Sequence, residues 1–401
     1  MQVKISKRAQ ILKPSPTLSV TALAKRMAAQ GIDIISFGAG EPDFATPDYI
    51  KNAAHQALDQ NFTYYTAAAG IPELRQAIAQ KLLKDNNLTY SPDEILVSAG
   101  AKAALANVLL AVLDAGDEVL IPVPYWVSYP ALVELCEAVP VYMPTSIENN
   151  FKITAAQLET TLAQLHHPKA LILNSPNNPS GAVYAKEELV AIGEVCARHN
   201  ILIISDEIYE KLIYDDRLHY SIAQISPEIQ ARTVIINGVS KAYAMTGWRL
   251  GWSAGPSSII KSALLIQEHT LSCVNSITQK AAVAAYTTND DSIEKMSQEF
   301  ARRRDYLVTA LNQIPHVTCP LPAGAFYAFP NIAYYFEDNN RGINNSIQLC
   351  EYLLQEFKVA LVPGAAFGAD EYVRFSYATS IENIIEGVKR FARGLKALIE
   401  A

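Results

Sequence analysis

The sequence predicts an α/β fold, in which strands buried on both faces alternate with helices. Three observations carry this. Short uninterrupted apolar runs recur between residues 95 and 236, and each stops at loop-forming residues. Between them lie longer stretches with helical character. The chain has 401 residues, half of them apolar and 18% charged, which is enough for a sizeable core spread over two or three domains.

Taken in order, Ile95-Leu96-Val97 ends at Ser98-Ala99-Gly100, and Glu118-Val119-Leu120-Ile121 ends at Pro122. Ala170-Leu171-Ile172-Leu173 ends at Asn174-Ser175-Pro176, Ile201-Leu202-Ile203-Ile204 at Ser205-Asp206, and Val234-Ile235-Ile236 at Asn237-Gly238. Runs without polar alternation fit strands of a parallel sheet, which is covered on both faces. Helix-like stretches fill the gaps at 101–113, 124–137 and 186–199. The alternation predicts one α/β domain over about 48–295. The flanks differ. Residues 17–30 read as a helix stopped by Gly31, and 296–312 as a polar helix carrying Arg302-Arg303-Arg304. Beyond it, short strands at 326–329, 359–362 and 372–376 mix with helices at 345–357 and 381–398. Residues 296–401 therefore read as a smaller α+β domain, to which the N-terminal segment 1–47 contributes.

Composition removes several function classes. A net charge of -7 would repel a phosphate backbone, so nucleic acid is not an expected partner. The basic start MQVKISKRAQILKPSP has no apolar run behind it and does not read as a secretory signal. The apolar stretch from Ala103 to Leu113 is too short to span a bilayer and is broken by Asn107. A soluble cytoplasmic protein with no membrane partner is expected. Cys136, Cys196, Cys273, Cys319 and Cys350 form no C-x-x-C and are expected to be reduced core thiols. The histidines show no H-E-x-x-H, and no metal is expected.

Parallel α/β sheets bind ligands at the carboxyl ends of their strands. Gly100, Asn178, Asp206 and Lys241 all follow predicted strand ends, where one crevice would collect them. Lys241 lies in Gly238-Val239-Ser240-Lys241-Ala242-Tyr243-Ala244-Met245-Thr246-Gly247-Trp248-Arg249-Leu250-Gly251. A lysine in such an apolar loop can have its pKa lowered, which makes the amine nucleophilic. Taken singly, Lys241 reads as a surface lysine, Asp206 as a helix N-cap and Asn177-Asn178-Pro179 as a turn. The set calls for more than that.

The Lys241 run resembles the lysine-attachment signature of class I and II aminotransferases, among the fold-type I pyridoxal-phosphate enzymes. Further matching segments follow in the family's order: Tyr64-Tyr65-Thr66-Ala67-Ala68-Ala69-Gly70, Ser175-Pro176-Asn177-Asn178-Pro179-Ser180-Gly181, Ser205-Asp206-Glu207-Ile208-Tyr209 and Val373-Arg374-Phe375-Ser376. The resemblance implies a mostly parallel seven-stranded sheet flanked by helices in the large cofactor-binding domain, with the smaller α+β domain beside it.

It also implies roles. Lys241 would hold pyridoxal 5'-phosphate as a Schiff base and later move the proton between Cα and the cofactor's C4' carbon. Asp206 would pair with the pyridine nitrogen and keep it protonated, so that the ring accepts electrons. One helical turn from Asp206 to Tyr209 would aim both inward. Tyr209 and Asn178 would hydrogen-bond the phenolic oxygen, and Trp126 would stack on the ring. Trp126 and Asn178 would also border the substrate. Gly100, Ala101 and Lys102 would open a helix whose free N–H groups face the phosphate. Arg249 would add a bidentate contact and Ser240 a hydroxyl. Tyr65 resembles the tyrosine that reaches the neighbouring subunit's phosphate, which implies a homodimer with shared sites. Arg374 would clamp the substrate α-carboxylate. Gly38-Ala39-Gly40-Glu41-Pro42-Asp43-Phe44 lacks G-x-G-x-x-G and reads as a substrate-side loop, with the Gly40 backbone near that carboxylate.

Within the family, the bacterial aspartate aminotransferase subgroup is most similar, and some of its members also use prephenate. The resemblance rests on Asn237-Gly238 ahead of Lys241, on Met245-Thr246-Gly247-Trp248-Arg249, and on Lys13 and Lys102. Those two lysines match positions linked to a distal carboxylate. The implied activity is amino transfer between aspartate and 2-oxoglutarate by a ping-pong cycle, with prephenate as a second acceptor. Aromatic amino acids or alanine as donors, and a lyase on the same fold, stay open as alternatives.

Overall fold

The computed structural model describes residues 3–12, 16–337 and 339–400, and its strands fall into three sheets. In chain order they are β1 (Ile35–Ser36), β2 (Ile95–Ser98), β3 (Glu118–Val123), β4 (Val139–Pro144), β5 (Pro168–Asn174) and β6 (Leu202–Asp206). Then come β7 (Thr233–Gly238), β8 (Gly251–Ala254), β9 (Tyr327–Ala328), β10 (Val359–Ala360), β11 (Val362–Pro363) and β12 (Val373–Ser376). The large sheet has seven strands in the order β2-β8-β7-β6-β5-β3-β4. All its neighbours are parallel except β8, which runs antiparallel between β2 and β7.

The apolar runs build the middle of this sheet because both its faces are covered. On β5, Ile172 packs with Ala104, Val108 and Ile260 on one side, while Leu171 and Leu173 pack with Leu158, Leu189 and Val195 on the other. The helices Ala101–Val112 and Ser257–Thr270 form the first layer, and Ala155–Leu162 and Lys186–Arg198 the second. Each fully buried aliphatic side chain stabilises the stack by about 1.5–3 kcal/mol. Helices Asp48–Asp59, Pro72–Asn86 and Ser276–Thr287 cover the β2–β8 end through Ile50, Leu74, Ile78 and Ala281.

The C-terminal layer is built on β11-β12-β9 and on helices Ser292–Asn312, Ser346–Phe357 and Ile381–Ile399. The N-terminal segment joins it. Ile35 of β1 pairs with Val359 of β10, and Phe37 packs on Phe375 with ring centroids 5.0 Å apart. Helix Pro16–Ala29 puts Ala24 against Leu354 and Ala360.

Several expectations need correction. The helix expected over 124–137 spans Ser128–Leu135, because Pro124 to Val127 cross the cavity rim as loop. The polar helix begins earlier, at Ser292. No helical turn follows Asp206: the chain bends there through short turns, with Glu210 N–H donating to Glu207 O and Leu212 N–H to Tyr209 O. Two strands of the large sheet escaped notice, as did the short β1. β4 carries two prolines and exposed positions at the sheet edge, and β8 begins with glycine. Among the thiols, all five are free, but Cys136 and Cys273 are half-buried and not in the core. No described helix is long and apolar enough to cross a membrane.

Candidate active site

The carboxyl ends of β5, β6 and β7 open into a cavity of about 440 Å³ that β12 closes from the other side. Asp206 is the last residue of β6, and only 4% of it is exposed. Its Oδ1 accepts from the N–H of Ile208 at 3.2 Å, a turn that Asp makes readily with the backbone two residues on. Its Oδ2 accepts from the Tyr129 hydroxyl at 2.7 Å. Burial pushes the carboxyl up to about 6, and those two bonds offset only part of the rise. Asn174, at the end of β5, ties the two strand ends together. Its Nδ2 donates to Asp206 O at 3.0 Å, and its Oδ1 accepts from the N–H of Asn178 at 2.9 Å. Tyr209 is buried, and its hydroxyl shares a hydrogen bond of 2.9 Å with that of Tyr327.

Lys241 follows β7 and is half-buried at the cavity wall. Its Nζ donates to Gly40 O at 2.6 Å. Desolvation lowers its pKa to about 8; Glu41 opposes the shift, while Arg374 and Arg249 reinforce it. Arg374 stands opposite on β12, with 2% exposure. Its Nη1 donates to Asn178 Oδ1 and its Nη2 to Gly38 O, both at 3.0 Å. Its guanidinium lies 4.4 Å from the Tyr327 ring and 5.1 Å from that of Phe367. Its Nε has no partner, and no carboxylate pairs with it among the described residues. A buried guanidinium in that state favours an incoming anion strongly.

The loop Gly38–Phe44 thus offers one carbonyl to Arg374 and another to Lys241. It is held from both sides. Arg303 donates from Nη1 to both Asp43 oxygens at 2.8 and 2.9 Å, and Thr46 Oγ1 donates to Ala244 O at 2.6 Å.

At the other end of the cavity, helix Ala101–Val112 begins after Gly100, whose φ of +91° suits glycine. A Cβ there would come within 2.5 Å of Arg249 Nη2. Arg249 is exposed; its Nη1 donates to Thr246 O at 2.9 Å and its Nη2 to Ala99 O at 3.4 Å. Ser240 is buried and lines the same cavity. Helix N–H groups, a hydroxyl and a guanidinium thus converge, as an anion site requires. Lys102 sits at the rim with Nζ 5.0 Å from the Trp126 ring centroid, and Trp126 meets Tyr129 edge-on at 5.4 Å. Partial burial, then Arg249, lowers the pKa of Lys102.

Of the residues expected from sequence, Gly40, Ala101, Lys102, Trp126, Asn178, Asp206, Tyr209, Ser240, Lys241, Arg249 and Arg374 line this one cavity. Gly100 borders it through Arg249. Tyr65 stands apart from the lining: it is 91% exposed, and Tyr64 beside it is 80% exposed. Lys13 lies outside the described residues. Sequence reasoning missed Tyr129, Asn174, Tyr327, Glu41, Thr246 and Lys25, which also line the cavity. Tyr129 had a usable signal, since it lies three residues after Trp126. Lys25 had none, because nothing in a helical run says which lysine faces a distant pocket.

A desolvated lysine, a buried carboxylate, an unpaired buried arginine and a helix N-terminus around one cavity define an enzyme site for small acidic ligands. Residues 32–391 match the family described as "Aminotransferase class I and II", and the chain belongs to that family. It is 48% identical over 395 residues to an aspartate aminotransferase of Geobacillus stearothermophilus, covering 98% of this chain and 100% of the relative. It is 46% identical over 395 residues to an aspartate/prephenate aminotransferase of Nitrosomonas europaea, covering 97% and 99%. Among solved structures, the aspartate aminotransferase of Rhizobium meliloti superposes with a TM-score of 0.94 at 40% identity, covering 99% of this chain and 100% of that one.

Proposed function

We propose that this chain moves an amino group between aspartate and 2-oxoglutarate, with pyridoxal 5'-phosphate anchored on Lys241 and prephenate as a second acceptor. The observation that carries the reading is the placement of Lys241, Asp206 and Arg374 around a single cavity. The residues suit that cofactor. The Gly100 cradle, which a Cβ would fill, together with Ser240 and Arg249 forms a donor set for a phosphate. Asp206 offers a buried carboxylate to a ring nitrogen, and Trp126 offers a flat face. When bound, the cofactor supplies an electron sink for bond cleavage at the substrate Cα.

The chain's own groups do the rest. Arg374 and the Gly38–Gly40 backbone hold the α-carboxylate and fix the orientation of Cα. Lys241, close to half-deprotonated near pH 8, takes and returns a proton at that carbon. Asp206 holds a proton on the ring nitrogen, and Tyr209 and Asn178 donate to the ring oxygen. Lys102 meets the distal carboxylate, and we assign Lys13 to the same carboxylate on the family resemblance alone. The names of the Geobacillus and Nitrosomonas relatives support aspartate and prephenate as the substrates. The exposed Tyr64-Tyr65 pair supports a homodimer in which Tyr65 serves the neighbouring site. We assign residues 1–47 and 296–401 to the small domain, residues 48–295 to the large one, and the protein to the cytoplasm.

Steady-state kinetics with a panel of amino donors tests the substrate. Aspartate should exceed alanine and the aromatic amino acids in kcat/KM, and an alanine or aromatic preference would refute the dicarboxylate reading. Lys102→Ala should selectively weaken dicarboxylates, whereas an equal loss for every donor would remove Lys102 from that role. Lys241→Ala should lose about 10³-fold or more in kcat.

A further inference from the structure

The turn after β6 has a second face. Asp206 and Tyr209 border the cavity, whereas Glu207 and Glu210 do not. Both glutamate side chains are nonetheless buried, at 2% and 7% exposure. Each is held by groups from other elements. Glu210 Oε1 meets Lys81 Nζ at 2.5 Å and accepts from Asn237 Nδ2 at 2.9 Å, and its Oε2 accepts from Asn86 Nδ2 at 3.3 Å. Glu207 Oε1 accepts from the hydroxyls of Ser205 at 2.8 Å and Ser221 at 2.6 Å. Its Oε2 meets His219 Nε2 at 3.0 Å.

Glu207, Glu210 and His219 bring possible ligand atoms within 4.8 Å of one another. A metal is a poor fit, because all four carboxylate oxygens already have a donor and the Lys81 ammonium supplies a cation. The arrangement fits a clamp. Ser205 and Glu207 flank Asp206 directly, and the Glu207 N–H donates to Ile236 O at 2.9 Å. A displacement of Glu207 therefore reaches Asp206 through one peptide unit. His219 is the weak point. It is the only partner of Glu207 Oε2 among the described residues, its side chain is 8% exposed, and its own Nδ1 has no partner. Removing it would leave one oxygen of a buried carboxylate bare, which the turn can relieve only by moving.

We propose that His219 is a positioning residue: by holding Glu207 it fixes the turn that presents Asp206 and Tyr209 to the cofactor. This rests on the cofactor-binding reading given above for those two residues. The test compares native chain with His219→Ala, His219→Gln, Glu207→Gln and the double variant His219→Ala/Glu207→Gln. The readouts are the dissociation constant for pyridoxal 5'-phosphate, the visible circular dichroism of the bound cofactor, and thermal unfolding of the cofactor-free chain.

His219→Ala should weaken cofactor binding about tenfold, the lower end of losses from groups that orient a ligand-holding residue. It should also change the dichroism. His219→Gln, whose amide N–H can reach the same oxygen, should recover affinity to within about threefold. In the Glu207→Gln background, His219→Ala should add little, because the contact is already altered. Lower melting with unchanged affinity and dichroism would make His219 merely structural and overturn the proposal. Additive losses in the double variant would overturn it too. If His219→Ala does not fold, Glu207→Gln alone decides: unaltered cofactor affinity and dichroism refute the clamp. Native chain that binds no cofactor would instead overturn the parent reading.

Discussion

Asp206 and Lys241 are both shifted towards their neutral forms. Burial raises the Asp206 carboxyl from 3.8 to about 6 and lowers the Lys241 ammonium from 10.5 to about 8. The linkage runs in opposite directions. Between pH 3.8 and about 6 the folded chain binds more protons at Asp206 than the unfolded chain, so this group's contribution worsens as pH rises. Between about 8 and 10.5 the unfolded chain binds more protons at Lys241, so that contribution improves as pH rises. Asp206→Asn should therefore raise the melting temperature of the cofactor-free chain at pH 7 by roughly 1–3 °C. The gain should shrink at pH 5, while cofactor affinity falls at both. Calorimetry at the two pH values checks this; a gain of equal size at both would rule out ionisation as its cause. At this scale the sequence was legible where a cavity-lining residue lies at or soon after its own strand end, as with Lys241, Asp206 and Asn178. It was opaque where a side chain arrives from another element. Tyr327 reaches Tyr209 and Arg374 from β9, and that contact depends on packing that no local run encodes.

Among the elements, β8 decides whether the anion cradle can form. A Cβ on Gly251 would fall 2.2 Å from Ala101 N, at the start of the helix that borders the cavity. Backbone must move to admit it. Gly251→Ala should destabilise the chain by about 1–3 kcal/mol, as overpacking does. It should also weaken cofactor binding by about tenfold or more, since about 1.4 kcal/mol of lost contact suffices. Gly247→Ala is the control, because nothing lies within 4 Å of its added Cβ. Denaturant melts and cofactor titration measure both effects, and equal behaviour of the two variants would show that close approach at Gly251 is unimportant. β8 was invisible in the sequence for the same reason that it matters. A strand opening with glycine has little apolar signal, and glycine is what lets it lie against Ala101. β4 was missed differently, since an edge strand with two prolines lacks the apolar run that marks a central one.

For the molecule as a whole, the alternation of strand and helix was enough to predict a mostly parallel sheet, because residues buried on both faces must all be apolar. The surface gave less away. Tyr65 matched a family position, but only the structure shows how far it stands in solvent. That exposure makes the proposed shared site testable. In hybrids of Lys241→Ala and Tyr65→Ala subunits, one site should carry both defects and the other none. Mixing and refolding the two weak variants should then restore activity well above either alone. Hybrids no better than their parents would place Tyr65 in its own subunit's chemistry or outside it.

The pairing of β2 with β8 joins segments more distant in sequence than any other neighbours in the large sheet, with Ser98 opposite Gly251. During synthesis, β2 and the Gly100 turn leave the ribosome long before the strand that must lie against them. Until β8 emerges, β2 and β7 remain bare edges, and contacts between such remote segments form slowly. The proposed phosphate pocket is thus among the last parts of the sheet to be completed. A ligand held there can stabilise only chains that have already inserted β8. Cofactor binding would then act as a selection for finished chains, drawing the folding equilibrium towards them and leaving truncated ones to proteolysis.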